Sequence, residues 1–427
     1  MNQLTTKSPP LTQEQHTAVN ALLEFLADPD PSNVFFTLRG YAGTGKTFCV
    51  QEIISRASTS HAKFAFTAPT NKATKVLRAV AGEACTIYAL LGLRIDKSGE
   101  LKQLVAGKEP PDLSEYTAIF IDEGSMISST LFKLLKVKAD IGGIKIVFLG
   151  DAAQLPPVGE AESPIWTQVE SGASLTTVMR YDNQILKLAT DLRNRMTDLC
   201  PSVVIKSDHS LDEGVWKMAK QDFKRSIYET ASQGGFADGE QSKVIAWRNV
   251  RVEEYNHLIR RAIYGATAEL HPYLPGDRIV AAGPCLRGDE PLMTTDEEAL
   301  VESAVACPHP LAPKYQAIEL QVRTETNKVV RLLVIHPESA TKFENDAQEL
   351  AHKARQEGRL WKKFWEHKEL FHEVKHAYAL TAHRSQGSTY QNVWVDYQDI
   401  LMNRNRKEAF QCLYVACTRP VKQLRLA

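Results

Sequence analysis

No apolar run in this chain approaches the ~18 residues that a membrane span needs, and its opening stretch, MNQLTTKSPPLTQEQ, has no apolar signal core. A cytoplasmic protein with no membrane partner is therefore expected. Net charge is missing as well. Lys+Arg and Asp+Glu both total 51, so no global field draws the chain to polyanions or lipid headgroups, and any nucleic-acid binding must use a local groove. The seven cysteines include no Cys-x-x-Cys pair, and the nearest two, Cys412 and Cys417, lack zinc-finger spacing. Reduced thiols are expected. There is no internal repeat and no low-complexity tract. What is present is a 43% hydrophobic content over 427 residues, enough for roughly three domains.

The pattern of apolar residues is that of an α/β protein. Ala18, Val19, Leu22, Leu23 and Leu26 fall at helical spacing behind a Leu11-Thr12 start that can cap a helix. The β-rich run Val34 to Leu38 ends at Gly40, and Lys46 to Arg56 reads as a helix. Short apolar runs recur at Lys63 to Thr67, Ala118 to Ile121 and Lys145 to Leu149, with helical patterns between them, the rhythm of a parallel sheet. A second cycle opens at Lys243 to Trp247 and passes into a helix from Val250 to Tyr264. From Pro275 to about Ile335 the chain is rich in short alternating stretches such as Ala317 to Val322 and Val329 to Val334, a β-rich insertion. The charged segment Glu344 to Lys375, with Trp361, Phe364, Trp365 and Phe371, reads as helical. A strand near Val393 to Val395 and a helix from Arg406 to Val415 follow.

Gly40-Tyr41-Ala42-Gly43-Thr44-Gly45-Lys46-Thr47 matches G-x-x-x-x-G-K-[ST] in full. Glycines let the backbone wrap a phosphate, the helix N-terminus offers unpaired N–H groups, Lys46 reaches the β/γ-phosphates, and Thr47 can ligate Mg²⁺. The motif lies between an expected strand and an expected helix, where this chemistry requires it. Downstream, Ile119-Phe120-Ile121-Asp122-Glu123 sets two carboxylates at a strand end. Asp122 is suited to the metal side, and Glu123 to orienting and deprotonating the attacking water. ATP and Mg²⁺ are the implied cofactors.

Gly150-Asp151-Ala152-Ala153-Gln154-Leu155-Pro156-Pro157-Val158-Gly159 resembles the segment by which superfamily 1 helicases couple the γ-phosphate to the DNA groove, with Gln154 as the coupling residue. The resemblance covers most of the chain. Leu11-Thr12-Gln13-Glu14-Gln15 looks like the adenine-reading motif, with Gln15 as the base contact. Ala68-Pro69-Thr70-Asn71-Lys72-Ala73 resembles a DNA-contacting motif, which implies Pro69, Thr70 and Asn71, and the Thr86-Ile87-Tyr88 stretch adds Thr86 and Tyr88. Leu175 to Arg180 is similar to motif IV, making Arg180 a candidate arginine finger. Thr381-Ala382-His383-Arg384-Ser385-Gln386-Gly387-Ser388-Thr389 is similar to motif V, with Thr381, His383 and Ser385 toward DNA and Gly387 toward nucleotide. Leu413 to Arg419 is similar to motif VI, with Arg419 the second finger. The Gln386-Gly387-Ser388-Thr389 form and the aromatic segment before it resemble the 1B branch of RecD/Dda-like helicases. Tyr88 stands where relatives often carry His, and Thr389 where the 1A branch has Glu.

The resemblance implies two RecA-like parallel-sheet P-loop domains with ATP between them. Motor domain 1 would take residues 1–86 and 113–182, interrupted by a β-hairpin over 87–112. Motor domain 2 would take 183–274 and 376–427, interrupted over 275–375 by a small β-rich part, for which an SH3-like barrel is one candidate, and a helical part. It also implies an ATP-dependent helicase moving 5′ to 3′ on single-stranded DNA and acting at duplex junctions. A single-strand-binding protein and replication proteins are partners by analogy, and a monomer is expected. Two other classes compete, of which a pure DNA-binding module would need no intact Lys46, Glu123 and Arg419 together, so the sequence argues against it. A switch or assembly ATPase would keep the same phosphate chemistry without unwinding. His372-Glu373-Val374-Lys375-His376 formally matches the H-E-x-x-H zinc-protease motif, though no third ligand follows at a protease-like spacing.

Overall fold

The structure, a computed structural model, describes residues 10–57, 62–95, 101–103, 111–177, 184–197, 204–288 and 290–427. It divides into two units, residues 1–93, 106–203 and 410–418 in the first and residues 94–105, 204–409 and 419–427 in the second.

In the first unit, helix α1 (Gln13–Ala27) starts in a capping box. The Thr12 hydroxyl accepts from the Gln15 N–H and the Gln15 side chain accepts from the Thr12 N–H, so two orphan donors are satisfied at once. Strand β1 (Phe35–Gly40) runs into helix α2 (Lys46–Ala57), then β2 (Phe64–Ala68) into α3 (Asn71–Ala81), and β3 (Cys85–Thr86) into the short α4 (Ile87–Leu90). Strands β4 (Leu93–Ile95) and β5 (Leu101–Gln103) form a two-stranded sheet of their own. The turn expected between them, Asp96 to Gly99, lies outside the described residues. Next come β6 (Ala118–Ile121), α5 (Ser129–Gly142), β7 (Lys145–Gly150), α6 (Ile165–Gln168), β8 (Gly172–Leu175) and α7 (Gln184–Asn194).

Six of these strands pair in the order β3-β2-β6-β7-β1-β8, and every pairing is parallel. Alternation along the strands builds a core on each face. Ala118 and Phe120 pack with Leu22, Phe36 and Leu38 on one side, while Ile119 and Ile121 pack with Leu131, Leu135 and Phe148 on the other. Burial on both faces explains why these runs read as continuous apolar stretches. Each fully buried Phe or Ile contributes on the order of 1.5–3 kcal/mol.

The second unit begins with β9 (Asp208–His209), β10 (Gly214–Lys217), α8 (Lys220–Ser232), β11 (Ser242–Ala246), α9 (Asn249–Tyr264) and α10 (Thr267–Leu270). An insertion follows: β12 (Arg278–Ala281), β13 (Cys285–Arg287), β14 (Glu290–Met293), β15 (Glu298–Pro308), β16 (Gln316–Thr324), β17 (Val329–Ile335), α11 (Pro337–Gln356), α12 (Trp361–Lys368) and β18 (Val374–His376). The chain then returns through β19 (Ala379–Thr381), α13 (Ala382–Ser385), β20 (Tyr390–Val395), α14 (Tyr397–Ile400), α15 (Arg406–Cys417) and β21 (Pro420–Leu426). The main sheet has the order β19-β11-β20-β21-β10-β9 and is parallel except for β9. The insertion forms a five-stranded antiparallel sheet, β17-β16-β15-β12-β18, with β13-β14 as a separate ribbon. Two RecA-like α/β domains carrying β and helical insertions are thus present, as expected.

One segment differs from its sequence reading. The helix expected over Glu344 to Lys375 starts earlier, at Pro337, breaks at Gln356, resumes at Trp361 and ends at Lys368, and Val374–His376 is a strand. His336 caps the true start and proline stands at the first helical position, where its missing N–H costs nothing. The strand disposes of the zinc-protease reading, because H-E-x-x-H brings its two histidines within reach of one metal only in a helix, whereas extended chain sets residues four apart about 13 Å from one another. His372 is instead used structurally: its Nδ1 accepts from the Leu333 N–H at 2.9 Å and its Nε2 bonds the Leu286 carbonyl at 2.9 Å. Among the described residues, no helix is long and apolar enough to cross a membrane.

Buried charge welds the insertion to the second parallel sheet. Lys243 on β11 meets Glu298 on β15 at 2.8 Å with both side chains almost fully buried, and Lys243 also donates to the Ala377 carbonyl. Arg260 on α9 donates to Asp277 at 3.0 Å and to the carbonyls of Ala268 and His271. Tyr378 donates to the same carboxylate at 3.1 Å. Removing one partner of such a pair strands a charge in the interior, at a cost of about 3–5 kcal/mol.

His376 sits against this network, its ring centroid 5.3 Å from that of Tyr273, and its Nε2 is buried without a hydrogen-bond partner, 3.8 Å from Asp277. Burial holds its pKa down to about 4, with Asp277 opposing. A histidine depressed in the folded state is kept neutral there, so its contribution is complete above the unfolded value of ~6.5 and is lost as pH falls toward 4. Urea unfolding should therefore show a chain less stable at pH 5 than at pH 7, by no more than about 3 kcal/mol from this group. His376→Asn should flatten that dependence. An identical pH dependence in parent and variant would remove His376 as its source.

Candidate active site

The parallel order of the first sheet brings its strand ends to one edge, where ligands of open α/β sheets bind. The loop after β1 is the phosphate loop. Gly43 and Gly45 have φ of 80° and 87°, in the left-handed region that glycine adopts freely. Gly45 is also held by space, since a Cβ there would lie 2.4 Å from Gln15 Nε2. Lys46 Nζ donates to the carbonyls of Gly40 at 2.6 Å and Tyr41 at 3.3 Å, and Thr44 Oγ1 donates to Tyr41 O at 2.9 Å. The lysine thus lies folded along the loop, over the space a β-phosphate takes in this motif. Thr47, in the first turn of α2, is exposed.

Gln15 is almost fully buried and works inside the chain. Its Nε2 donates to the Thr44 carbonyl at 3.1 Å while its oxygen closes the α1 capping box. It therefore ties α1 to the phosphate loop, and its part in reading adenine is not visible in this arrangement. Tyr41 is covered by the guanidinium of Arg193 on α7, 3.4 Å from the ring centroid.

At the end of β6, Asp122 accepts from the Glu123 N–H at 2.8 Å. Burial pushes the Asp122 carboxyl up, and nearby Lys46 opposes the shift. Glu123 has φ 53° and ψ 44°, left-handed backbone that costs a non-glycine residue roughly 1 kcal/mol. Glycines allow the close approach behind it: a Cβ at Gly124 would meet Ile165 at 2.7 Å, and one at Gly150 would meet the Gly124 nitrogen at 3.0 Å. A hydroxyl at Thr47 and a desolvated carboxylate at Asp122 are the hard oxygen donors Mg²⁺ prefers.

The segment after β7 is fixed by residues that carried no assigned role in the sequence reading. Asp151 is buried and accepts from the Ala153 N–H at 2.9 Å and from the Tyr414 hydroxyl at 2.6 Å. The Ala42 N–H points to the same Tyr414 oxygen at 3.4 Å, and Gln411 Nε2 donates to the Gln154 carbonyl at 3.0 Å. Residues 410–418, the later part of α15 and its end, belong to the first unit. Tyr414 therefore bridges the phosphate loop and the Asp151 turn. Its position inside the Leu413 to Arg419 match was the available signal, but a tyrosine there also reads as core.

The candidate strand contacts divide. Thr70, Thr86 and Thr381 are each the N-cap of the helix that follows, accepting from the N–H of Ala73, Ala89 and Arg384. Register places Ala68 beside Thr86, so Pro69, Thr70 and Asn71 share a sheet edge with Thr86. Unpaired N–H groups at such starts suit phosphate oxygens. Tyr88 packs against the core beneath β6 and β7. Ser385 is fully buried, its hydroxyl donating to Ala382 O at 2.8 Å, so neither is presented to a strand. His383 is exposed, 3.4 Å from Glu408. In the second unit, Thr381 and Arg384 help to line a cavity of about 280 Å³ with Asn256, Tyr273 and His376. Gly387 has φ 74°, and the next residue, Ser388, accepts from Arg419 Nη1 at 3.1 Å. Arg180 lies outside the described residues.

Known proteins resemble the chain along these lines. Residues 10–205 match a family model described as an AAA domain, and residues 376–427 match a UvrD-like helicase C-terminal domain. An uncharacterized protein, R530, of Acanthamoeba polyphaga mimivirus is 25% identical, the alignment covering 97% of this chain and 98% of that one. The ATP-dependent DNA helicase dda of Enterobacteria phage T4 is 26% identical over 96% of this chain and 97% of its own. Among solved structures, a Bacteroides Pif1 helicase in complex with ADP-AlF3 and ssDNA superposes with a TM-score of 0.51 at 14% identity, covering 98% of this chain and 92% of that one. At that identity the likeness is one of fold.

The strained turn at Glu123 can be tested apart from catalysis. Glu123→Gly and Glu123→Ala should both lose ATP hydrolysis. The glycine variant should be the more stable in chemical denaturation, by roughly 1 kcal/mol, because alanine keeps the left-handed strain. An alanine variant as stable as the glycine one would show that the turn relaxes freely.

Proposed function

We infer that this chain is a superfamily 1B ATP-dependent DNA helicase related to Pif1- and Dda-type enzymes, a motor driven along single-stranded DNA by ATP hydrolysis. The single observation that carries the reading is the phosphate loop, Asp122-Glu123 and Asp151-Gln154 side by side on one sheet edge, with Tyr414 hydrogen-bonded across the first and the last. In this reading Lys46 holds the β/γ-phosphates. Thr47 and Asp122 hold Mg²⁺, which when bound neutralises phosphate charge. Glu123 takes the proton of the attacking water, and Arg419 serves the γ-phosphate. The capped starts at Thr70, Thr86 and Thr381 receive backbone phosphates. Likeness to dda over nearly the whole chain supports placement near the Dda type, and the 1B resemblance of the Gln386 to Thr389 stretch implies movement 5′ to 3′.

The decisive assay is Mg²⁺-dependent ATPase with and without single-stranded DNA. Hydrolysis should rise at least tenfold with DNA, and unwinding should need a 5′ tail. Glu123→Gln should lower turnover by about 10²–10⁴ while keeping nucleotide affinity; Lys46→Ala should lose both. Equal rates with and without DNA would favour the switch-ATPase class, and unwinding of 3′-tailed duplexes alone would reverse the polarity.

The β4-β5 sheet supports a second assignment, that of a strand-splitting pin. Two strands of three residues each are marginal alone and need a support, and of their described residues Arg94, Ile95 and Leu101–Gln103 group with the second unit. Replacing Leu91 to Leu104 by a short Gly/Ser linker should leave DNA-stimulated ATPase largely intact and reduce unwinding severely. Unwinding at the parental rate would remove the pin role.

A further inference from the structure

Lys46 marks which end of the phosphate loop receives the last phosphate. A lysine in this motif reaches the β/γ-phosphates, and its Nζ rests on the carbonyls of Gly40 and Tyr41, so the β/γ end of a triphosphate belongs beside those two residues. A second cation stands at the same end. Arg193, in the last turn of α7, lays its guanidinium over the Tyr41 ring, 3.4 Å from the centroid. The Tyr414 hydroxyl, pushed up by burial and by Asp151, feels Arg193 as an opposing charge. Loop, helix and Tyr414 all belong to the first unit. Among the described residues no carboxylate forms an ion pair with Arg193. Its hydrogen bond goes to the side-chain oxygen of Asn194 at 3.2 Å. The nearby acids are engaged elsewhere: Asp191 holds Arg195 at 2.9 Å, and Asp151 accepts from Tyr414 and from the Ala153 N–H.

A guanidinium on a ring face is held by the ring quadrupole alone and leaves its donors free to turn. The same planar fork meets a phosphate through paired charge-assisted hydrogen bonds, each roughly twice as strong as a neutral one. A terminal phosphate beside Tyr41 is therefore a better partner for this cation than the ring. We propose that Arg193 binds the terminal phosphate of ATP and lets the phosphate loop tell ATP from ADP, with Tyr41 as the platform that carries the guanidinium at the lip of the loop; the inference rests on reading that loop as the ATP site. Lys46 holds the phosphates from within the loop, and Arg193 adds a contact from α7 that exists only when the last phosphate is present. Recognition of ATP by this pair needs no residue of the second unit. A merely structural Arg193 would do two other things, screen Asp151 through Tyr414 and complement the carbonyl end of α7. Both act alike on a nucleotide with two phosphates or three, and that difference separates the two roles.

The test uses the whole chain with Mg²⁺ and without DNA, and measures the affinity of ADP and of the slowly hydrolysed analogue ATPγS. Arg193→Ala should bind ATPγS roughly tenfold to a hundredfold more weakly while ADP stays within about twofold of the parent. Its turnover of ATP should fall by roughly 10²–10³. Arg193→Lys keeps the charge and loses the fork, so it should recover only part of the ATPγS affinity. Arg195→Ala should keep the parental ratio of the two affinities. Phenylglyoxal modification, mapped by peptide mass spectrometry, should strike Arg193 in the parental chain and be blocked by ATPγS but not by ADP; because it needs no variant, it decides even where a substitution prevents folding. Equal protection by both nucleotides, or equal change in both affinities, would overturn the proposal and leave Arg193 a structural residue. A parent that binds no ATPγS would overturn the proposal together with the ATP-site reading. Selective loss of ATPγS affinity in Arg193→Ala, in a parent whose ATPase is not raised by single-stranded DNA, would sink the motor reading and uphold the role of Arg193.

Discussion

A parallel sheet forces every strand to leave through the same edge, and a helix that follows a strand must start there. Each start carries N–H groups with no partner inside the helix. In the first unit this constraint gathers the phosphate loop after β1, the Thr70 and Thr86 caps after β2 and β3, Asp122 after β6 and Asp151 after β7 along a single line. Donors that would be a liability in the interior become the means of holding anions. Both a nucleotide and a phosphodiester strand are anions, so under the proposed function one architectural rule would serve two ligands. The distinction between them would come from what is added at each strand end: a lysine and glycines at one, carboxylates at the next, threonine caps at the outer two.

Small residues and strain make that line dense enough to act as a unit. Gly124 and Gly150 let two turns touch, and Glu123 accepts left-handed backbone while its N–H donates to Asp122. Tyr414, whose hydroxyl is held well above its ordinary pKa by burial and by Asp151, stays protonated and so remains a donor to that carboxylate. A displacement of the phosphate loop at Ala42 is thereby felt at Asp151, and through the 151–154 turn at Gln154. Coupling of this kind needs no long pathway, only a few hydrogen bonds that share atoms.

Much of this was legible in the sequence because local rules and the fold agree. The α1 capping box follows from Thr12 and Gln15, and the start of α2 from the glycines before Lys46. The strands Ala118–Ile121 and Lys145–Gly150 follow from apolar runs cut off by Asp and Gly. Where reading failed, a distant partner decided. Val374–His376 looked like the end of a charged helix and became a strand because β12 offered it an open edge. Ser385 looked accessible in a polar motif, but its hydroxyl turns inward to Ala382. Asp151 and Gln411 carried no signal of their own, since their worth depends on Tyr414 and Gln154, which lie 263 and 257 residues away along the chain. The segregation of Phe371 into a core and of Trp361 and Trp365 onto a surface is equally invisible to helical spacing.

The buried pairs Lys243-Glu298 and Arg260-Asp277 make the β-rich insertion a part of the second unit that cannot be treated as an ornament. Lys243 and Arg260 belong to the parallel-sheet domain, and the carboxylates that neutralise them are carried by the inserted chain. Without the insertion neither cation would have its carboxylate in the interior: excision leaves two unpaired charges under a sheet, and exchange with a foreign module requires acids at matching points. Electrostatics therefore ties this part of the molecule to its host sheet, a demand that its loops and surface strands do not carry.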